Sequence, residues 1–216
     1  MKPKDIEHSE QLHAYVEERA FGRDEALRRV EEATSALGGI AIMQTAAAQA
    51  AFLEMLVKIS GARRALEVGT FTGYGAIRIA RGLPEDGTLL CLELDEEWAT
   101  MARAHIEATG VADRVEIRVG PALAALQALP AEPAFDFAYL DADKESYPDY
   151  YEELVPRLVS GGLLAIDNVL KGGRVIDPDD DASAAVARLN DRVADDVRVE
   201  SVLLPLADGL TLVRRK

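Results

Sequence analysis

The stretch Phe135-Asp136-Phe137-Ala138-Tyr139-Leu140-Asp141-Ala142-Asp143-Lys144 is a short apolar run that stops in acid. The run Gly162-Leu163-Leu164-Ala165-Ile166 stops the same way at Asp167-Asn168. Runs of this length and composition read as strands buried on both faces of a parallel sheet, with their last residues set along one edge. Two earlier runs repeat the pattern: Ala65-Leu66 leads into Glu67-Val68-Gly69, and Leu89-Leu90-Cys91-Leu92 leads into Glu93. Carboxylates crowded on one edge raise each other's pKa, and burying them unpaired is costly. The pattern therefore points to a crevice that binds cations.

Outward from these runs, short apolar segments alternate with amphipathic ones. Strands are expected near 64–68, 88–93, 114–119, 135–140 and 162–166. Helices are expected near 73–82, 95–109, 121–129, 146–158 and 182–194. That alternation means a parallel sheet covered by helices on both faces. The rhythm then breaks, because Val197–Leu204 and Leu210–Val213 flank Ala207-Asp208-Gly209, which reads as a turn between antiparallel strands. The first sixty residues read as a helical extension. Its stripes are Leu12, Tyr15 and Val16; then Ala26, Leu27, Val30 and Leu37; then Ala48, Phe52, Leu53, Leu56 and Val57, with Gly38-Gly39 separating the last two helices. The expectation is a single domain, with 1–60 as extension and 61–216 as the α/β core.

Composition sets limits on function. The chain has 216 residues, 49% hydrophobic and 29% charged, with a formal net charge of −14. That charge argues against nucleic-acid and anionic membrane partners, and against a highly anionic substrate without a local basic patch. Cys91, the one cysteine, lies in an apolar run and reads as a buried thiol. Residues 1–5 lack an apolar signal core, and no run was expected to reach the length of a membrane span, so the expected location is cytoplasmic. The acidic segment 177–181 reads as a solvated loop and helix start.

The loop Glu67-Val68-Gly69-Thr70-Phe71-Thr72-Gly73-Tyr74-Gly75 follows a strand and opens a helix, the context of a nucleotide-binding turn. Its spacing is G-x-x-x-G-x-G, and Phe71 would crowd a pyrophosphate. Glu67 at the mouth would repel phosphates. Glu93 falls 24 residues after Gly69, close to the usual spacing for an acid that binds ribose hydroxyls. An adenosine with a cationic tail and no phosphate, S-adenosylmethionine, fits these features. His8, His13 and His105 have no spacing that would favour zinc. Lys144 is the candidate general base and Asp141 its catalytic neighbour, the competing reading being a salt bridge from Lys144 to Asp141 or Asp143.

The segments LEVGTFTGYGA (66–76), LPEDGTLLCLELD (83–95), GPALAAL (120–126), FDFAYLDADKESYPDYYEEL (135–154), GGLLAIDNVL (161–170) and LPLADGLTL (204–212) together resemble the cation-dependent class I O-methyltransferases. The likeness is to the caffeoyl-CoA O-methyltransferase type, with catechol O-methyltransferase more distant. It implies a Rossmann-like seven-stranded sheet, mostly parallel with an antiparallel last strand. It implies a divalent cation on Asp141, Asp167 and Asn168, a hard, oxygen-only donor set suited to Mg²⁺ first, then Ca²⁺ or Mn²⁺, and S-adenosylmethionine contacts from Thr45, Glu67, Gly69, Thr70, Gly75, Glu93, Ala122, Asp143 and Tyr150. Met43 would lie near the acceptor, and a homodimer is implied. Two departures stand out. The usual G-Y-S is Gly73-Tyr74-Gly75 here, without the hydroxyl, and an aromatic wall of plant relatives corresponds to Lys171, which suggests an acceptor carrying an anionic group. The expected activity is methyl transfer to a hydroxyl of a small catechol-like acceptor. The alternatives are a phenylpropanoid CoA ester as acceptor, an NAD-binding oxidoreductase, or a silent binding module.

Overall fold

A computed structural model describes residues 9–19 and 22–216. The expectations for residues 1–8, His8 among them, and for 20–21 lie outside the described residues, as does the side chain of His13. The extension folds as α1 (Glu10–Glu17), α2 (Glu25–Ser35), a 3-10 turn over Gly38–Met43 and α3 (Ala47–Ser60). Ser9 and Asp24 cap the first two helices by accepting the N–H groups of Leu12 and Leu27.

From Arg64 the chain alternates: β1 (Arg64–Val68), α4 (Tyr74–Gly82), β2 (Thr88–Glu93), α5 (Glu96–Ala108), β3 (Val115–Val119), α6 (Ala122–Ala128), β4 (Phe135–Leu140), α7 (Tyr147–Arg157), β5 (Leu158–Asp167) and α8 (Asp181–Ala194). The hairpin β6 (Val199–Leu204) and β7 (Leu210–Arg215) closes the chain. All seven strands form one sheet in the order β3-β2-β1-β4-β5-β7-β6. Neighbours from β3 to β5 pair in parallel, and β7 runs antiparallel to both β5 and β6. This is the α/β sheet with an antiparallel last strand that the sequence led us to expect.

Strand side chains alternate between two cores. Phe137 and Tyr139 face the core shared with α3, α4 and part of α2, whereas Ala138 and Leu140 face the core built with α6, α7 and α8. With both faces covered, the central strands have no solvent side, which is why they read as continuous apolar runs. β5 begins at Leu158, earlier than expected, because α7 leads straight into it; a shift of register between Phe135 and Phe137 absorbs the extra length.

Two expectations for the extension need adjustment. Leu27, Val30, Leu53 and Val57 are buried as their stripes require, but Tyr15 and Val16 of the first stripe are exposed. The segment Gly38–Ser60 is, by length and composition, apolar enough to cross a membrane, contrary to the expectation that no run reaches that length. In the fold it is broken where Gln44 turns extended, and α3 packs as a core helix against α4.

Candidate active site

The carboxyl ends of β1, β2, β4 and β5 open on one cavity of about 1130 Å³, the crevice position expected of an open parallel sheet. Every site residue singled out from the sequence lines it. Thr45 and Met43 enter from the extension, Glu67 to Gly75 from the β1–α4 loop, and Glu93 from β2. Ala122 comes from α6, Asp141 to Lys144 and Tyr150 from β4 and α7, and Asp167 to Lys171 from the end of β5. Seven carboxylates and two lysines, Lys144 and Lys171, stand around this space. A pyrophosphate would meet repulsion there, whereas a cation would not.

The β1–α4 loop is tied to the end of β2. Glu93 accepts the N–H groups of Thr70 (2.9 Å) and Phe71 (2.8 Å) on one oxygen and that of Asp95 (3.0 Å) on the other. The carboxylate thus closes the loop as well as facing the cavity. Phe71 holds a left-handed backbone, φ 49°, and its ring packs on Trp98 with centroids 4.9 Å apart. Gly69, at φ 87°, passes so near β4 that a Cβ would lie 1.9 Å from the Asp141 carbonyl oxygen. Only glycine fits there.

Glu67 is 1% exposed, and burial, reinforced by Asp141 and Glu93, pushes its pKa up to about 8. Its Oε2 and the Thr70 hydroxyl are buried and make no well-formed hydrogen bond within the protein, although Thr70 and Cys91 lie close enough to Glu67 to oppose part of the rise. Such groups facing a cavity are the mark of a ligand site. Gly75 sits so close to Glu67 that a Cβ would come within 2.7 Å of Oε1. A serine there would require the end of the Glu67 side chain to shift.

At the tips of β4 and β5, Asp167 is 3% exposed, and burial together with the nearby Asp141 raises its pKa to about 6. Its Oδ2 accepts the Tyr139 hydroxyl at 2.7 Å and its Oδ1 the Asn168 N–H at 2.6 Å, with Asn168 at φ 53°. Lys144 donates to Asp141 Oδ1 at 2.8 Å and to the Tyr147 hydroxyl at 2.6 Å, forming the ion pair with Asp141. Tyr150 donates to Asp143 at 2.6 Å. Among the described residues no three His, Cys, Asp or Glu side chains gather as a metal set. A cation here would therefore rest on the Asp141–Asp167 pair and the Asn168 amide oxygen, hard donors that fit Mg²⁺ or a similar ion.

Tyr139 was missed from sequence because it sits inside an apolar run. Its hydroxyl also meets Thr45 (3.4 Å) and Gln49 (3.3 Å), joining the extension to the tip of β5. Period-two spacing, which puts positions 139 and 141 on one face, is the signal that could have found it. Trp98 and Asp208 line the cavity too. No local pattern marks either of them.

The family model described as O-methyltransferase matches residues 17–216. The chain is 38% identical to caffeoyl-CoA O-methyltransferase 1 of Zea mays over 226 residues, covering 98% of this chain and 87% of that protein. It is 40% identical to tricin synthase 1 of Oryza sativa subsp. japonica over 188 residues, covering 80% and 75%. Among solved structures, the O-methyltransferase of Bacillus cereus in complex with SAH superimposes with a TM-score of 0.88 at 34% identity, covering 95% of this chain and 97% of that one.

Proposed function

Since this chain belongs to the O-methyltransferase family, we propose that it moves a methyl group from S-adenosylmethionine to a hydroxyl of a small catechol-like acceptor, with a divalent cation at Asp141, Asp167 and Asn168. The carrying observation is the convergence of Asp141 and Asp167 at adjacent strand tips, where Asp141 adds to the cost of ionising the buried Asp167 and Lys144 stands against Asp141 as counter-charge. The NAD-dependent alternative falls with the family, and the acid-rich cavity wall agrees.

The chemistry explains the parts. A phenol of pKa about 10 is roughly 0.1% ionised at neutral pH, a deficit of about 4 kcal/mol for an attack that needs phenolate. A divalent cation supplies Lewis-acid stabilisation of that oxygen and a template for two adjacent oxygens. Asp141, Asp167 and Asn168 would hold it. Tyr139 fixes the rotamer of Asp167 through their hydrogen bond, and Lys144 fixes that of Asp141. Lys144, once neutral after giving up its own proton, would take the phenolic proton as the oxygen–methyl bond forms and the sulfonium–methyl bond breaks to leave the thioether of S-adenosylhomocysteine. Glu67 and Thr70 offer their oxygens to the donor, Glu93 its carboxylate to ribose hydroxyls, and Thr45, Gly75, Ala122, Asp143 and Tyr150 complete that wall. Met43 and Lys171 stand on the acceptor side, Lys171 suiting an acceptor with a carboxylate.

A phenylpropanoid CoA ester is the second reading, favoured by the likeness to caffeoyl-CoA O-methyltransferases. A free phenol agrees better with a cavity lined by so few cations. The test is methyl transfer across catechols, hydroxylated benzoates and CoA esters, before and after EDTA. Loss on chelation with recovery in Mg²⁺ is the expected result; full activity in EDTA would remove the cation. In this reading the chain acts as a homodimer, supported by the exposed apolar face of Tyr15, Val16, Met55 and Ile59 on α1 and α3.

A further inference from the structure

The segment that follows β5 holds four residues in left-handed backbone, Asn168 (φ 53°) and, after Val169 and Leu170, the consecutive Lys171 (φ 50°), Gly172 (φ 63°) and Gly173 (φ 85°). That conformation is sparsely populated by residues with a Cβ, above all by a long side chain such as lysine. It persists only where the surroundings over-determine it. The surroundings here are the β6–β7 turn and one side chain of α8. Val169 N–H donates to the Gly209 carbonyl (3.2 Å) and Leu170 N–H to the Asp208 carbonyl (2.9 Å). Gly172 N–H donates to the Asp208 carboxylate at 2.6 Å. Asn190 donates from its amide to the Val169 carbonyl at 2.8 Å. The two loops touch so closely that a Cβ on Gly209 would lie 2.5 Å from Leu170 Cγ.

Within this latch the Asp208 side chain is the tie to the Lys171–Gly173 turn itself. Ala207 at the hairpin tip (φ 50°), Asp208, Lys171 and Asn168 all border the cavity. We infer that Asp208 is a positioning residue for the acceptor. Through its bond to the Gly172 amide it holds the left-handed turn that presents Lys171 and steadies the backbone leading out of Asn168, and so governs which acceptors seat well. This rests on the function proposed above, since it assigns the acceptor side of that site. The cofactor side, built from the β1–α4 loop and the end of β2, has no part in the latch.

The experiment compares the full-length chain with Asp208→Ala, Asp208→Ser and Asp208→Asn. The asparagine variant keeps an oxygen that can accept the Gly172 N–H. Three readouts are taken: acceptor KM and kcat, the Kd of S-adenosylhomocysteine, and amide hydrogen exchange by mass spectrometry. Expected for alanine are an acceptor KM raised about tenfold, a cofactor-product Kd within about twofold of the parent, and faster exchange confined to 168–174, with asparagine recovering most of each loss. Unchanged exchange over 168–174 would overturn the inference. Equal weakening of acceptor and cofactor-product binding, with exchange rising over 69–75 as well, would do the same. The serine variant takes the place of alanine if alanine does not fold. A parent chain that methylates no phenol would defeat the proposed function, and the exchange comparison would still decide whether Asp208 holds the turn.

Discussion

Glu67 is the residue whose position is hardest to explain without a ligand. It is buried beside two other carboxylates, and its pKa of about 8 lies above the value near 4.3 of an unfolded glutamate. The folded state therefore binds a proton that the unfolded chain releases. The resulting stability is fully present below the unfolded pKa and is lost as pH rises through about 8. Glu67→Gln, neutral at every pH, is expected to flatten this dependence. Urea titrations at pH 5, 7 and 9 should show the parent losing stability along the series faster than the variant. Parallel losses would mean that the carboxyl ionises freely in the fold. If the cofactor wall is the one proposed above, the variant should also bind S-adenosylhomocysteine more weakly, because Glu67 Oε2 makes no well-formed protein hydrogen bond in the cavity.

At the scale of elements, α1 and α3 do two jobs on opposite faces. The inner face of α3 carries Leu53 and Val57 into the core, while its outer face leaves Met55 and Ile59 at 39% and 76% exposed. A groove lined by Tyr15, Val16, Phe52 and Met55 runs between the two helices. Contiguous exposed apolar surface of this kind suits the homodimer proposed above. Met55→Asp with Ile59→Asp is expected to halve the mass seen by light scattering after gel filtration, leaving methyl transfer per chain measurable. A parent already at 23.4 kDa would discard the dimer. The extension also reaches the site: Thr34 of α2 shares a 2.9 Å hydroxyl contact with Thr72 in the β1–α4 loop, and Tyr74 donates to Glu31. The helices that precede the sheet are thereby part of what shapes the cavity.

Across the whole molecule, the far end of the sheet is held by a polar cluster. Asp196 accepts from Tyr151, and Arg198 pairs with both Asp196 and Glu152, joining α7 to the start of β6. The Arg198 guanidinium holds the Asp196 carboxyl well below the usual carboxylate range. Stability from this group is present above the unfolded value near 3.9 and is lost as pH falls toward the depressed folded one. Asp196→Asn is expected to cost about 1–3 kcal/mol at pH 7 and to converge on the parent in acid; a constant gap down to pH 2 would contradict that. Local pattern carried much of this architecture. Apolar runs ending in acid located β1, β2, β4 and β5 and placed Glu67, Glu93, Asp141 and Asp167 on one edge, because strand burial and strand polarity are written in consecutive residues. The partners of Tyr139, the positions of Trp98 and Asp208, the exposure of Tyr15 and Val16, and the latch between the end of β5 and the last hairpin were decided by tertiary structure alone. Each depends on which distant segment lies alongside, and periodicity along a chain encodes which way a side chain faces but not what it will meet.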